Sequence, residues 1–246
     1  MSNTAVTLFY GLMAGVATIT GIQILILKKS LAKRYASYLM PFAAGVLLAV
    51  AFFHLIPESL ELNENSILFV FIGFIIFYLM ESFLFVHAGP ELHHIEHFRE
   101  ERLQVSGQVA FVGLFLHSLI DGVIIVISFE IDRSLGIFTA LGIILHELPE
   151  GITTFSLLII GGQKKDALIK SYLVALATPA GTIISLLFIK SIPEPVIGIL
   201  LALVSGTFIY VAASDLIPQT HNNKGFANSV ILLSGVLVIY LLSFVD

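Results

Sequence analysis

The chain of 246 residues contains no cysteine, which excludes disulfides, thiolate metal sites and a cysteine nucleophile. Charge is scarce too. Asp, Glu, Lys and Arg make up 12% of the residues, roughly half of what a soluble domain carries. So little polar surface cannot cover a water-soluble globule. Only four methionines are present, none beside the polar cluster described below, which argues against a Cu(I) site. The net charge of −5 lacks the basic surplus that a nucleic-acid partner requires. The opening MSNTAVTLFY has no basic region ahead of its apolar run, so that run is expected as a permanent span rather than a cleaved signal.

What the chain has in excess is apolar residues, 57% of the total, with a mean hydropathy of +1.00. Stretches of about 20 residues, the length that crosses a bilayer as a helix, run over 6–27, 36–57, 66–87, 107–129, 134–160, 167–189, 194–217 and 226–245. Barrel strands need only about 9–11 residues and alternate, and none of these runs alternates. The expectation is an all-α polytopic membrane protein with eight transmembrane helices in a single domain over 1–246. Gly, Pro and Asn gather between the runs, in GGQKKD, SIPEP and HNNKG.

Orientation follows from Lys and Arg, which favour the cytoplasmic side. Lys28, Lys29, Lys33, Arg34, Arg99, Arg102, Lys164, Lys165, Lys170 and Lys224 follow odd-numbered runs, against Arg133 and Lys190 on the other side. Ten against two predicts both termini outside the cytoplasm and the segment 88–106 inside it.

Two internal echoes suggest duplication. FFHLIPES closes the second run and AASDLIPQ the seventh, while FLHSLIDG in the fourth run echoes ILHELPEG in the fifth. Each pair crosses the membrane in opposite senses, as in the inverted repeats of secondary transporters. The predicted arrangement is 3 + 2 + 3, with spans 1–3 and 6–8 repeated around spans 4–5.

The membrane-buried ionisable residues narrow the function. Span four carries His117, Ser118 and Asp121, and span five carries His146, Glu147 and Glu150. Spacings of three and four residues gather each set on one helical face. Three ionised, unpaired carboxylates at mid-membrane would cost about 8–10 kcal/mol. No Lys or Arg lies within either span to neutralise them; the ionisable residues deep in any span are His54, Glu81, His117, Asp121, His146, Glu147, Glu150 and Asp215. The missing positive charge is protons or a bound cation. Imidazole with carboxylate suits a borderline divalent ion such as zinc, iron(II), manganese or cobalt. Pro149 and Pro179 each free a backbone carbonyl in their helices, and Gly122 and Gly151 let another backbone approach. Glu81 alone reads as a hydrogen bond to a neighbouring helix.

HSLIDG followed by HELPEG, on consecutive helices of an eight-span chain with both ends outside, resembles the ZIP (Zrt/Irt-like) family of divalent metal transporters, in its prokaryotic form. The resemblance implies a binuclear mid-membrane centre. One site would use His117, Asp121 and Glu150, with His146 near it. The other would use Ser118 and Glu147, with Asp121 and Glu150 bridging. Many members have Asn in place of Ser118 and some a carboxylate in place of Thr178, so the second site is expected to be the poorer one.

His54 and Glu58 near the outer end of span two, and Asp215 with His221 near the inner end of span seven, are candidate path residues. His93, His94 and His97 in the cytoplasmic loop 88–106 are candidates for transient metal binding. The function expected is transport of divalent metal toward the cytoplasm. Zinc comes first, with iron, manganese, cobalt or cadmium as alternatives, and the metal is bound as substrate rather than as a cofactor. The expected partners are metal ions and the bilayer of a cell (inner) membrane, with a homodimer left open. Two other classes compete. HELPE begins like the zincin H-E-x-x-H, but Glu150 replaces the second His; a metal-sensing receptor would share every ligand.

Overall fold

The computed structural model describes residues 3–84, 100–160, 165–189, 192–220 and 225–244; side chains at 29–37, 80–81, 83–84, 100–107, 109–110, 160, 215, 219–220 and 225 are outside that description. His93, His94, His97 and His221 therefore lie outside it, as do the side chains of Glu81 and Asp215. No strand occurs among the described residues. The helices are α1 (Asn3–Leu27), α2 (Lys29–Val50), α3 (Ile56–Leu62), α4 (Ser66–Leu84), α5 (Glu100–Ile131), α6 (Arg133–Ile160), α7 (Ala167–Leu186), α8 (Glu194–Tyr210), α9 (Ile217–Thr220) and α10 (Gly225–Leu242). Helix α5 starts at Glu100, so it takes in the last part of the segment expected as loop.

Two π turns, Ala51–Leu55 and Val211–Leu216, join α2 to α3 and α8 to α9 into continuous rods. Each immediately precedes an Ile-Pro pair, Ile56-Pro57 and Ile217-Pro218. A proline ring crowds the carbonyl four residues back, here Phe53 and Ser214, both inside the widened turn. The amides of Ile56 and Ile217 accordingly reach five residues back, to the carbonyls of Ala51 and Ala212. The repeated LIP thus has the same local backbone at both places. His54 and Asp215 occupy equivalent positions, two residues before each Ile.

Six stretches among the described residues are long and apolar enough to cross a membrane: Asn3–Leu27, Tyr38–Leu62, Phe111–Ile131, Arg133–Ile159, Ala167–Leu186 and Glu194–Ser214. The other two expected spans coincide with shorter apolar helices, Ser66–Leu79 and Phe226–Leu242. Exposed Phe9, Leu27, Phe71, Leu187, Phe226 and Leu233 face outward, as an apolar solvent allows. The chain is a multi-pass membrane protein. Its core lies between α2, α5, α6 and α8, where Val46, Leu47, Val50, Ile124, Ile125, Ile143 and Leu201 are buried.

Helix pairs with no hydrophobic driving force between them associate through close backbone approach, and glycines provide it. At the α5–α7 crossing a Cβ on Gly122 would stand 2.1 Å from the Thr178 carbonyl oxygen, and one on Gly181 the same 2.1 Å from that of Leu119. Gly21 and Gly151 make the same reciprocal contact between α1 and α6, Gly73 and Gly206 between α4 and α8, and Gly45 and Gly235 between α2 and α10. Helices α1, α5, α6 and α7 are thereby drawn together around the polar cluster.

Candidate metal centre

Asp121 is the middle residue of the stretch Phe111–Ile131, and His146 is the middle residue of Arg133–Ile159. Antiparallel packing of α5 on α6, joined at Asp132, brings these two midpoints face to face. The turn is fixed by the Asp132 carboxylate, which accepts from the amides of Ser134 at 2.8 Å and Leu135 at 3.1 Å, so it caps α6 as an N-terminal aspartate should.

One ligand atom from each of His117, Asp121, His146 and Glu150 lies within 4.8 Å of all the others. His146 Nε2 is 2.9 Å from Asp121 Oδ2 and 3.9 Å from Glu150 Oε2; His117 Nε2 is 3.2 Å from Glu150 Oε2 and 3.6 Å from Asp121 Oδ2. A tetrahedral ion with ligands at about 2.0–2.1 Å needs its ligand atoms about 3.3 Å apart. These four edges bracket that spacing, so the side chains need shift only slightly to enclose an ion. Two imidazoles and two carboxylates around a divalent cation make an electrically neutral unit, which suits a site with no Lys or Arg at 111–131 or 134–159.

The orientation of one ligand is fixed from behind. His146 Nδ1 lies 3.0 Å from the Gly142 carbonyl. Donation to that oxygen puts the ring proton on Nδ1 and leaves the Nε2 lone pair toward the cluster, the usual support for a metal-ligating histidine. His117 Nδ1 is buried without a partner, and its ring stands edge-on to Phe77, with centroids 5.2 Å apart.

The two residues expected at a second site behave differently. Ser118 donates to Glu150 Oε1 at 3.0 Å, the oxygen opposite the one facing the histidines. Glu147 is fully buried but is not in the cluster. Consecutive helical residues point about 100° apart, and Glu147 is turned toward α1 and α7. There Thr178 donates to its Oε1 at 2.5 Å, while Thr18 hydrogen-bonds its Oε2. The reading as a zincin loses its general base in this arrangement, since Glu147 is held by two threonines rather than aimed among the histidines.

His54 forms a 3.0 Å hydrogen bond with Ser243 and packs against the ring of Phe138 at 4.6 Å, tying the first π turn to α10 and α6. Glu58 is half-buried one turn further on. Neither joins the central cluster. Sequence reasoning missed Thr18 and the Gly142 carbonyl. A signal for Thr18 exists: Thr7, Gly11, Ala14, Thr18 and Gly21 form a stripe of small residues down α1, and all five are buried.

With this geometry established, comparison with known proteins is decisive. The family model described as ZIP zinc transporter matches the chain over residues 3–99 and 86–243. The chain belongs to the ZIP zinc transporter family. Among its relatives is an uncharacterized protein of Methanocaldococcus jannaschii, 28% identical over 242 residues and covering 97% of both chains. Zinc transporter zipt-7.1 of Caenorhabditis briggsae is 25% identical over 285 residues, 86% of this chain and 72% of that protein. Human zinc transporter SLC39A7 is 31% identical over 155 residues, 58% of this chain but only 33% of its own length. As a ZIP protein the chain belongs among membrane transporters of metal ions.

Proposed function

We propose that this ZIP chain carries divalent transition-metal ions, zinc first, toward the cytoplasm through a single mid-membrane centre formed by His117, Asp121, His146 and Glu150. The observation that carries this reading is the convergence of those four ligand atoms within 4.8 Å, at the midpoints of two consecutive spans. Eight spans in a 3 + 2 + 3 order with inverted repeats fit the matched π turns and the matched glycine crossings. The cytoplasmic histidines His93, His94 and His97 would receive the ion, and His54, Glu58 and Asp215 would line its route. The test is metal uptake into proteoliposomes across zinc, iron(II), manganese, cobalt and cadmium, with and without a pH gradient. A protein that binds zinc but moves none of these ions would be a receptor, not a carrier.

The proposed stoichiometry is one metal per chain, fewer than the binuclear centre the family resemblance implied. Thr18 and Thr178 occupy both oxygens of Glu147, and Ser118 brings only a neutral hydroxyl, too little charge to replace the water of a divalent ion. Metal analysis of monodisperse protein should therefore read close to one zinc. His117→Ala should damage uptake more than Ser118→Ala or Thr178→Ala, and Thr178→Glu should raise bound metal toward two. Two equally tight zincs in the unaltered protein would contradict the assignment.

The proposed orientation puts both termini outside. Ser2→Cys and Ser243→Cys, each introduced into this cysteine-free chain, should react with an impermeant maleimide in intact cells. Labelling only after lysis would reverse the direction assigned to every span.

A further inference from the structure

Most buried serine and threonine hydroxyls find a partner, commonly the carbonyl one turn back, as Thr18, Ser171, Thr182 and Ser205 do. Among the described residues three do not: Ser128, Thr139 and Thr154, each fully buried and each without a hydrogen-bond partner. Leaving such a group unpaired costs about 1–3 kcal/mol, a cost that a water or the hydration shell of an ion beside it would offset. All three lie on α5 or α6, the helices that carry the metal centre.

The positions of two of them are related. Stepping seven residues from Asp121 along α5, and seven back from His146 along α6, leads to Ser128 and Thr139. Because Asp121 and His146 face one another at 2.9 Å, the same antiparallel register sets Ser128 opposite Thr139. At about 100° per residue, Ser128 falls between His117 and Asp121 around α5, and Thr139 between His146 and Glu150 around α6. Both hydroxyls therefore stand on the ligand-bearing faces, about 10 Å from the centre along the axis, toward the α5–α6 turn. Between the two levels on α6 lies Gly142, where a Cβ would meet side-chain atoms of Leu47, Val46 and Val50 on α2. The third hydroxyl, Thr154, has Gly113 at the matching position of that register and so no such counterpart.

We infer that Ser128 and Thr139 form an outer hydroxyl step that holds the remaining hydration water of a divalent cation between the exterior and the mid-membrane centre. The inference rests on the transport reading and on its orientation. A hydroxyl both donates and accepts, so this pair binds the ion's water without binding the ion tightly. An ion that must move on to His117 and Asp121 requires weak intermediate sites of that kind.

Thr139→Val keeps the shape and removes the hydroxyl, and Thr139→Ser keeps the hydroxyl. Zinc uptake in proteoliposomes should slow roughly three- to tenfold in Thr139→Val and in Ser128→Ala, the size of one lost hydrogen bond in the rate-determining passage. Thr139→Ser should retain the original rate, all three variants should keep equilibrium zinc binding, and none should be less stable than the unaltered protein, Thr139→Val being if anything more so because it removes an unpaired buried hydroxyl. Uptake at the unaltered rate in both Thr139→Val and Ser128→Ala overturns the step. Slow uptake that tracks lost stability or lost zinc binding, or that Thr139→Ser fails to rescue, assigns the pair a structural role and overturns it as well. If the unaltered protein moves no divalent metal the transport reading itself falls, whereas the step alone falls when uptake by that protein is intact.

Discussion

The double variant Asp121→Ala, Glu150→Ala is expected to insert and fold yet to take up zinc no faster than protein-free liposomes. Each carboxylate presents one oxygen to the cluster, and among the described residues these are the two acids in it with His117 and His146. A charge-assisted contact is worth about 1.5–3 kcal/mol, and about 1.4 kcal/mol is tenfold in affinity. Losing both contacts should weaken zinc binding by at least about a hundredfold. Insertion survives because spanning helices satisfy their own backbone hydrogen bonds, and removal of two acids makes the spans more apolar. The measurements are zinc uptake and equilibrium zinc binding on protein that elutes as a single species. Uptake at the unaltered rate by such a preparation would remove the centre from the transport path.

Much of this was legible in the sequence because the bilayer imposes simple rules. The apolar runs and the ionisable residues at i, i+3 and i+4 follow from the cost of polar groups in hydrocarbon. Those rules gathered His117, Ser118 and Asp121 on one face and His146, Glu147 and Glu150 on another; the helices bring His117, Asp121, His146 and Glu150 within 4.8 Å but turn Glu147 toward Thr18 and Thr178. The span lengths were less legible. Helix α10 ends at Leu242, short of the end of the apolar run expected over 226–245, because hydropathy marks apolar residues rather than the last helical turn. Conversely, α5 reaches back to Glu100 through the charged EERLQ segment, whose residues are good helix formers despite their polarity.

The partners of Glu147 were not legible. A spacing argument can place Glu147 beside His146 and Glu150, but only packing decides which helix its carboxylate meets. Two crossings make that decision. Gly21 and Gly151 bring α1 against α6, and Gly122 and Gly181 bring α7 against α5, so Thr18 and Thr178 arrive on the side of Glu147 away from the cluster. The glycines that read from sequence as allowing close approach near the ligands therefore also determine which hydroxyls meet the remaining acid.

For that reason the crossing of α5 and α7 should tolerate less than any polar residue around it. A Cβ at position 122 would stand 2.1 Å from the Thr178 carbonyl oxygen and 2.6 Å from the Thr182 amide nitrogen. Both are backbone atoms of a helix and cannot turn aside. Gly122→Ala must therefore push α5 and α7 apart, which shifts Asp121 by its own backbone and withdraws Thr178 from Glu147. Overpacking of well-filled interiors costs about 1–3 kcal/mol, and a clash with backbone belongs at the upper end of that range. The gain of about 1 kcal/mol in helix propensity from Gly to Ala does not offset it. Gly142→Ala is the matched control on α6. Its Cβ would come no closer than 3.3 Å to Leu47 Cδ2, the tip of a flexible side chain, and it keeps the carbonyl that supports His146. Thermal unfolding of the purified proteins should show Gly142→Ala unchanged or stabilised. Gly122→Ala should melt well below the unaltered chain and lose zinc binding as well. Equal stability of the two variants would mean that the α5–α7 contact is looser than these distances require, and that something other than close backbone approach holds Thr178 beside Glu147.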